Sequence, residues 1–327
     1  MRGALLGGVV GAVTLASGLH AQRPEPIAPD STDVEVLPVQ GSVSAIFTGG
    51  SNVVVQVGTL GAVLVDSSTA AVTEKVLAEV AKLTPRPVRL IINTSVDRDH
   101  IGGNEAISKA GTPLPGTQAK EALIVGHQNG VDRLSRQANP LAVGFWPSDT
   151  FSGPKKTLHL NGEPIEILHA PGAHSDADVM VHFRRSDVLA TGDVFSLQSY
   201  PAFSSDTGGS LQGTLDALNR IIDITVPELN QQGGTLVVPG HGRLANESDV
   251  VEYRDMATIV RDRIKWMVER GRTLPQIKAA RPTLEYDGLY GTEQGAWTTS
   301  MFIEAVHRDL TRSARPAADR STTSRQR

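Results

Sequence analysis

Twice along its length the chain runs through the same order of elements, short apolar strands and then an amphipathic helix, and that order leaves few folds open. Between Val34 and Asp66 the runs Val43 to Phe47, Asn52 to Val57 and Ala62 to Val65 are separated by Gly49-Gly50 and by Gly58 to Gly61, the pattern of strands joined by tight turns. Ala71, Val72, Val76, Leu77, Val80 and Leu83 then recur at spacings of three and four, which predicts a helix capped by Ser67, Ser68 or Thr69. Pro85 and Pro87 end that region, and Val88 to Ile92 reads as a short strand buried on both faces. The second pass places strands at Ile165 to Leu168, Val179 to Phe183, Val188 to Ala190 and Leu236 to Val238, and a helix over Leu211 to Ile224. This alternation predicts an α/β domain with helices outside two sheets. Beyond Ser248 helical patterns dominate, at Val250 to Glu269, Leu274 to Ala280 and Thr298 to Leu310, and predict a C-terminal helical appendage packed on the main domain.

The two ends carry different signals. Arg2 followed by the small, apolar stretch Ala4 to Leu19, with Leu19-His20-Ala21 as cleavage site, reads as a signal peptide over residues 1–21. The run is short and glycine-rich for a spanning helix, so the expectation is export to a periplasm or beyond, without integral membrane association after cleavage. Residues 22–41 form a lead-in, and residues 313–327, almost without large apolar side chains, read as a disordered tail. A net charge of −4 leaves no electrostatic footprint for nucleic acid. Cysteine is absent, which excludes disulfides, thiolate ligands and a cysteine nucleophile.

Ligand-type residues gather at strand ends. Asn93 to His100 follows the buried strand; His169 to Asp176 follows Leu168; Thr191-Gly192-Asp193 follows Ala190; Pro239-Gly240-His241-Gly242 follows Val238. Sites in open α/β sheets form at such carboxyl edges. Any one of these histidines, taken alone, is more readily a satisfied core or surface residue. Four such ends in this order form a joint signal.

In these motifs the sequence resembles the metallo-β-lactamase superfamily, over about residues 42–245, with a helical extension at 246–312. The resemblance implies an αββα sandwich, one or two divalent metal ions (zinc first, manganese or iron as alternatives) and hydrolysis of a small-molecule substrate. The family's metal loop is Thr-His-x-His-x-Asp-His, whereas this chain reads Thr94-Ser95-Val96-Asp97-Arg98-Asp99-His100. By resemblance one metal site is intact, with Asp99, His100, His241 and a bridging Asp193. The other keeps His174 and the bridge, with Ser95 and Asp97 where histidines are expected. Neutral serine is a poor ligand, but the Asp97 carboxylate can coordinate, and exchanging imidazole for carboxylate shifts preference from zinc toward manganese or iron. Three outcomes stay open: a dinuclear centre with one oxygen-rich site, a single metal with Asp97 as base or outer acceptor, and a scaffold that binds without catalysis.

The expected reaction is attack by a metal-activated hydroxide on an ester, lactone, amide (β-lactam-like) or related centre, with Asp99 orienting it and moving its proton. An iron-dependent redox enzyme on the same fold is the alternative. Asp66, Ser95 and His169 are expected to support the ligands from outside. Tyr200, Phe203 and His127 (the last on an expected helix) are candidate substrate contacts, and the stretch Phe195 to Ser210 is either a lid or a solvated connection. Trp146, Trp266 and Trp297 are expected as core or interface anchors.

Overall fold

The computed structural model describes residues 31–231 and 233–313; the expected signal peptide at 1–21, residues 22–30 of the expected lead-in and all but the first residue of the expected tail lie outside them. The strands are β1 (Val34–Gln40), β2 (Val43–Thr48), β3 (Val53–Gly58), β4 (Gly61–Val65), β5 (Val88–Ile92), β6 (Leu123–His127), β7 (Asp149–Phe151), β8 (Lys155–Leu160), β9 (Glu163–His169), β10 (Val179–Phe183), β11 (Val188–Ser196) and β12 (Leu236–His241). The helices are α1 (Thr73–Leu83), α2 (Arg98–Ile101), α3 (Asn104–Ala110), α4 (Gln128–Ser135), α5 (Leu211–Ile224), α6 (Glu247–Glu269), α7 (Leu274–Ala279), α8 (Asp287–Tyr290) and α9 (Thr299–Ser313). One sheet runs β1 to β7 in chain order, antiparallel through β4 and parallel from β4 to β7; the other runs β12-β11-β10-β9-β8, with only β11 and β12 parallel.

The period-two alternation of strand side chains builds the layers. In β4, Val63 and Val65 enter the core between the sheets, where they meet Ile165, Val181 and Val188 of the second sheet. Ala62 and Leu64 point the other way, into a core with Val76 and Val80 of α1. In β10, Val179, Val181 and Phe183 face the first sheet while Met180 joins the helices beyond the second. The result is the expected αββα sandwich.

The helical extension packs on the main domain. Leu215 and Leu218 of α5, Val260 and Ile264 of α6 and Phe302 of α9 share one core with Met180, Leu189 and Val237 of the second sheet. The boundary expected at residue 42 also moves: β1 pairs with β2 from Val34↔Thr48 to Gln40↔Val43, so part of the lead-in is an edge strand. The serines expected to cap α1 serve elsewhere. Ser67 Oγ donates to the His100 carbonyl at 3.0 Å, Ser68 Oγ meets Thr48 Oγ1 at 2.7 Å, and the helix begins through a short 3₁₀ turn at Ala70–Val72 without a side-chain cap. Among the described residues no helix is long and apolar enough to cross a membrane.

Candidate metal centre

Four loops meet where the two sheets open. The Val179 N–H donates to the Thr94 carbonyl at 2.9 Å and the Asn52 N–H to the Gly240 carbonyl at 2.8 Å, which ties the edges of the sheets together. Within this seam the side chains form two triads: Asp99, His100 and His241, and Asp97, His174 and Asp193, each with ligand-type atoms within 4.8 Å of one another. Asp193 belongs to both by distance. Its Oδ2 lies 3.0 Å from His100 Nε2 and 3.9 Å from His174 Nε2, and its Oδ1 lies 3.2 Å from His241 Nε2. Asp99 Oδ2 is 3.3 Å from His241 Nε2, and Asp97 Oδ2 is 2.7 Å from His174 Nε2. Asp193 sits inside β11 rather than after it; Gly192 before it has φ +52°, where a Cβ would collide with the Thr94 side chain.

All three imidazoles present Nε2 to the centre, and two are fixed there from behind. His100 Nδ1 donates to Asp66 Oδ2 at 2.8 Å, and the same carboxylate accepts from Thr94 Oγ1 at 2.5 Å and Thr94 N at 2.7 Å. Asp66 reaches this position with φ +62°, a cost in backbone strain that its three hydrogen bonds offset. His174 Nδ1 donates to the Ala202 carbonyl at 2.9 Å. Such outer acceptors set the tautomer and leave the inner nitrogen's lone pair for a cation. The side chains fit a metal on one further count: His100 is wholly buried, and its Nε2 has no aligned hydrogen bond despite the nearby Asp193.

The electrostatics agree. Burial works against charge on His174, but its bond to Asp97 and the field of Asp193 and Asp178 raise it to about 10. Burial is likewise outweighed at His241, which Asp193 and Asp99 raise to about 9, and at His100, which Asp193, Asp66 and Asp99 hold well above its ordinary value. Asp193 is held well below the carboxylate range, burial notwithstanding, by the charges of His100, His241 and His174. Asp97 and Asp99 are lowered by the same histidines against their own burial. Three carboxylates therefore share a field that strongly favours positive charge.

Among the supporting residues, Asp66 contacts His100 directly. Ser95 Oγ accepts from the Asp97 N–H at 3.2 Å and shapes the loop. His169 does neither: its Nε2 bonds the Asp176 carbonyl at 2.9 Å and its ring stacks on His127 at 3.7 Å. The three candidate substrate contacts are packed within the fold. His127 ends β6, is 4% exposed, and its Nδ1 accepts from Asn129 N at 3.3 Å to cap α4. Tyr200 is buried, stacked on Phe302, with its hydroxyl 2.9 Å from Asp287 Oδ1. Phe203 is buried against Trp297. From Phe195 to Phe203 the segment is a strap packed on the C-terminal helices, held also by Tyr253 donating to the Ser199 carbonyl at 3.0 Å, whereas Ser204, Asp206 and Gly208 beyond it are exposed. Trp266, expected as an anchor, is 53% exposed beneath Arg270.

Further residues that the sequence motifs did not single out hold the site. Asn52 Nδ2 donates to the carbonyls of Pro239 at 3.0 Å and Gly242 at 2.9 Å and so pins the turn of His241. Asp178, pushed up to about 6 by burial, accepts from Ser175 N and Ser175 Oγ, both at 2.6 Å, and fixes the turn of His174. In sequence Asn52 reads only as a strand residue, and a main-chain acceptor such as Ala202 leaves no trace there.

The metallo-beta-lactamase superfamily profile matches residues 46–241, and the chain belongs to that superfamily, whose members typically bind divalent metals. The chain is similar in structure to a metallo-beta-lactamase from Pontibacter korlensis, with TM-score 0.54 and 19% identity over 69% of this chain and 99% of that one. It is also similar to the stereoselective inverting sec-alkylsulfatase Pisa1 from a Pseudomonas species, with TM-score 0.61 and 14% identity over 84% of this chain but only 50% of the sulfatase. DIM-1 metallo-beta-lactamase aligns with TM-score 0.52 and 16% identity, over 69% of this chain and 97% of its own. No curated protein matches the chain.

Proposed function

We propose that the chain is an exported metal-dependent hydrolase of small esters, lactones, amides or sulfate esters, working with two divalent ions, zinc first and manganese or iron as alternatives. The observation that carries this reading is Asp193, with one carboxylate oxygen toward His241 and the other toward His100 and His174, at the junction of two triads. Asp99, His100, His241 and Asp193 would hold one ion, and Asp97, His174 and Asp193 the other. Bound divalent ions would supply an acidified water at neutral pH and polarise the scissile group. Asp66 and the Ala202 carbonyl hold His100 and His174 in the tautomer that this needs. Asp99, its side chain 38% exposed and held as a carboxylate, would orient an entering water and accept its proton. Ser175 is no nucleophile in this scheme, since it is fully buried against Asp178.

Metal content of protein purified without added metal, followed by a screen across lactams, lactones, thioesters and sulfate or phosphate esters, tests the proposal. Two equivalents of metal with turnover of any of these supports it; metal-free protein with no turnover after reconstitution overturns it. The carboxylate-rich triad of Asp97, His174 and Asp193 also suits iron, so iron content with oxygen uptake would point to redox chemistry instead. Export is checked by N-terminal sequencing of protein from the producing cell's exterior or periplasm, with a start near residue 22 expected.

A further inference from the structure

α4 carries a buried glycine, Gly130, at its third residue, although glycine disfavours a helix. Close contact accounts for it. A Cβ at this position would lie 2.6 Å from Val96 Cγ1 and 3.7 Å from Ala177 Cβ. These neighbours belong to different loops: Val96 stands between Ser95 and Asp97 in the metal loop, and Ala177 lies three residues beyond His174. One backbone position of α4 therefore touches both loops that deliver the unshared side chains of the oxygen-rich triad, Asp97 and His174.

The rest of the helix holds the same pair of loops. Leu134 is buried with Val96 and Ile101, and Leu141, Phe145 and Trp146 pack around them. Val96 is β-branched and so has little freedom to turn its methyl aside. On the other loop, Asn129 Nδ2 donates to the Asp176 carbonyl at 2.8 Å and Arg133 Nη2 to Asp176 Oδ1 at 2.9 Å, two residues beyond His174. Between the loops Asp97 Oδ2 and His174 Nε2 meet at 2.7 Å, and among the described residues the Asp97 carboxylate has no other hydrogen bond. Nothing backs Asp97 as Asp66 backs His100, so the loop alone sets where its oxygens lie.

We propose that α4 is the clasp of the oxygen-rich triad. Gly130 and Asn129 are positioning residues that set how closely the Asp97 loop approaches the His174 loop, and through that spacing the affinity of Asp97, His174 and Asp193 for a divalent ion. The other triad is held from elsewhere: Asp66 and Asn52, at the edge of the first sheet, fix His100 and the turn of His241. The two ions are thus governed by different parts of the fold, and one can be weakened without the other. The presence of two ions rests on the hydrolase reading, but seeing the clasp requires no turnover.

The test titrates the full, metal-free chain with zinc and reads two binding steps by calorimetry. The step lost in Asp97→Ala marks the oxygen-rich triad. In Gly130→Ala the added methyl pushes Val96 and its loop, which should weaken that step about tenfold and leave the other within about threefold. Asn129→Ala, at a half-buried position, removes the bond to Asp176 without adding bulk and should weaken the same step about tenfold; it decides the matter alone if Gly130→Ala does not fold. Combining Gly130→Ala with Val96→Ala removes the colliding methyl and should restore the step, a rescue that general loosening would not give. Selective weakening with rescue supports the clasp even if no ester is hydrolysed, in which case the hydrolase reading alone fails. A single zinc step in wild type, equal loss of both steps in the two variants, or loss of neither overturns the proposal. So does a Gly130→Ala defect that Val96→Ala leaves in place.

Discussion

Replacing Asp66 with asparagine keeps the side chain's shape and removes its charge, and the surrounding bonds determine the consequence. The carboxylate accepts from Thr94 N at 2.7 Å, Thr94 Oγ1 at 2.5 Å and His100 Nδ1 at 2.8 Å. In Asp66→Asn the amide oxygen can keep the bond from Thr94 N, which leaves the NH2 facing the hydroxyl and the imidazole. The hydroxyl can rotate and accept. The wholly buried His100 ring has two choices: lose its partner, or accept at Nδ1 and carry its proton on Nε2, where the cation would bind. Either choice forfeits one charge-assisted bond, about 1.5–3 kcal/mol, which corresponds to roughly a 10- to 100-fold loss of metal affinity. Competition against a chromophoric zinc chelator, at a temperature where both proteins are folded by circular dichroism, measures this. Affinity within about threefold of wild type would show that the Asp66–His100 contact does not orient a metal ligand and would refute the reasoning.

Asp97→Ala should lower metal stoichiometry from two to one and reduce turnover with it, read by elemental analysis alongside activity; unchanged stoichiometry would remove Asp97 from the ligand set. Ser95→His with Asp97→His should raise zinc occupancy, whereas His174→Ala should lower it. The pH dependence comes from the histidines: His174 near 10 and His241 near 9 are raised from 6.5, so their contribution to the stability of metal-free protein is fully present below 6.5 and is lost as pH rises through about 9 to 10. Thermal melts of metal-free protein should fall across that window, and zinc affinity should tighten over the same range because binding displaces those protons. Tyr200→Phe should cost about 1–2 kcal/mol in denaturant unfolding and leave kcat/KM unchanged, since its hydroxyl serves Asp287 and not the centre.

The layers of the fold were legible because they rest on local periodicities. The helix over Leu211–Ile224 falls where its apolar spacing puts it, and Val88–Ile92 is the buried strand that its composition implies. The features that sequence could not show depended on partners far along the chain. The strand pattern from Val34 did not reveal that residues assigned to the lead-in would pair with β2, and although the C-terminal helices were expected to pack on the main domain, nothing local marks the second sheet as the surface they cover. The segment after Asp193 illustrates the same limit: Tyr200 and Phe203 look like a ligand-facing pair until α8, α9 and Trp297 between them supply the surfaces that bury them.

At the site the candidate ligands and the supporting Asp66 stand out in the sequence and most other supports do not, and the reason is chemical. An ion needs imidazoles and carboxylates, which are few and conspicuous after apolar strands. The groups that orient them need only be hydrogen-bonding atoms at the right place. Asp66 is a carboxylate at a strand end and stands out for that reason; Asn52 acts across 187 residues on Pro239, and the Ala202 carbonyl has no residue identity to read. The departure at Ser95 and Asp97 acquires meaning only in three dimensions. Ser95 has become part of the loop's own hydrogen bonding, whereas Asp97 puts an oxygen 2.7 Å from His174 and within reach of the shared Asp193 triad. The two substitutions are therefore unequal. One removes a ligand and shapes the loop, and the other exchanges an imidazole for a carboxylate, which keeps the position able to hold a cation while raising its negative charge.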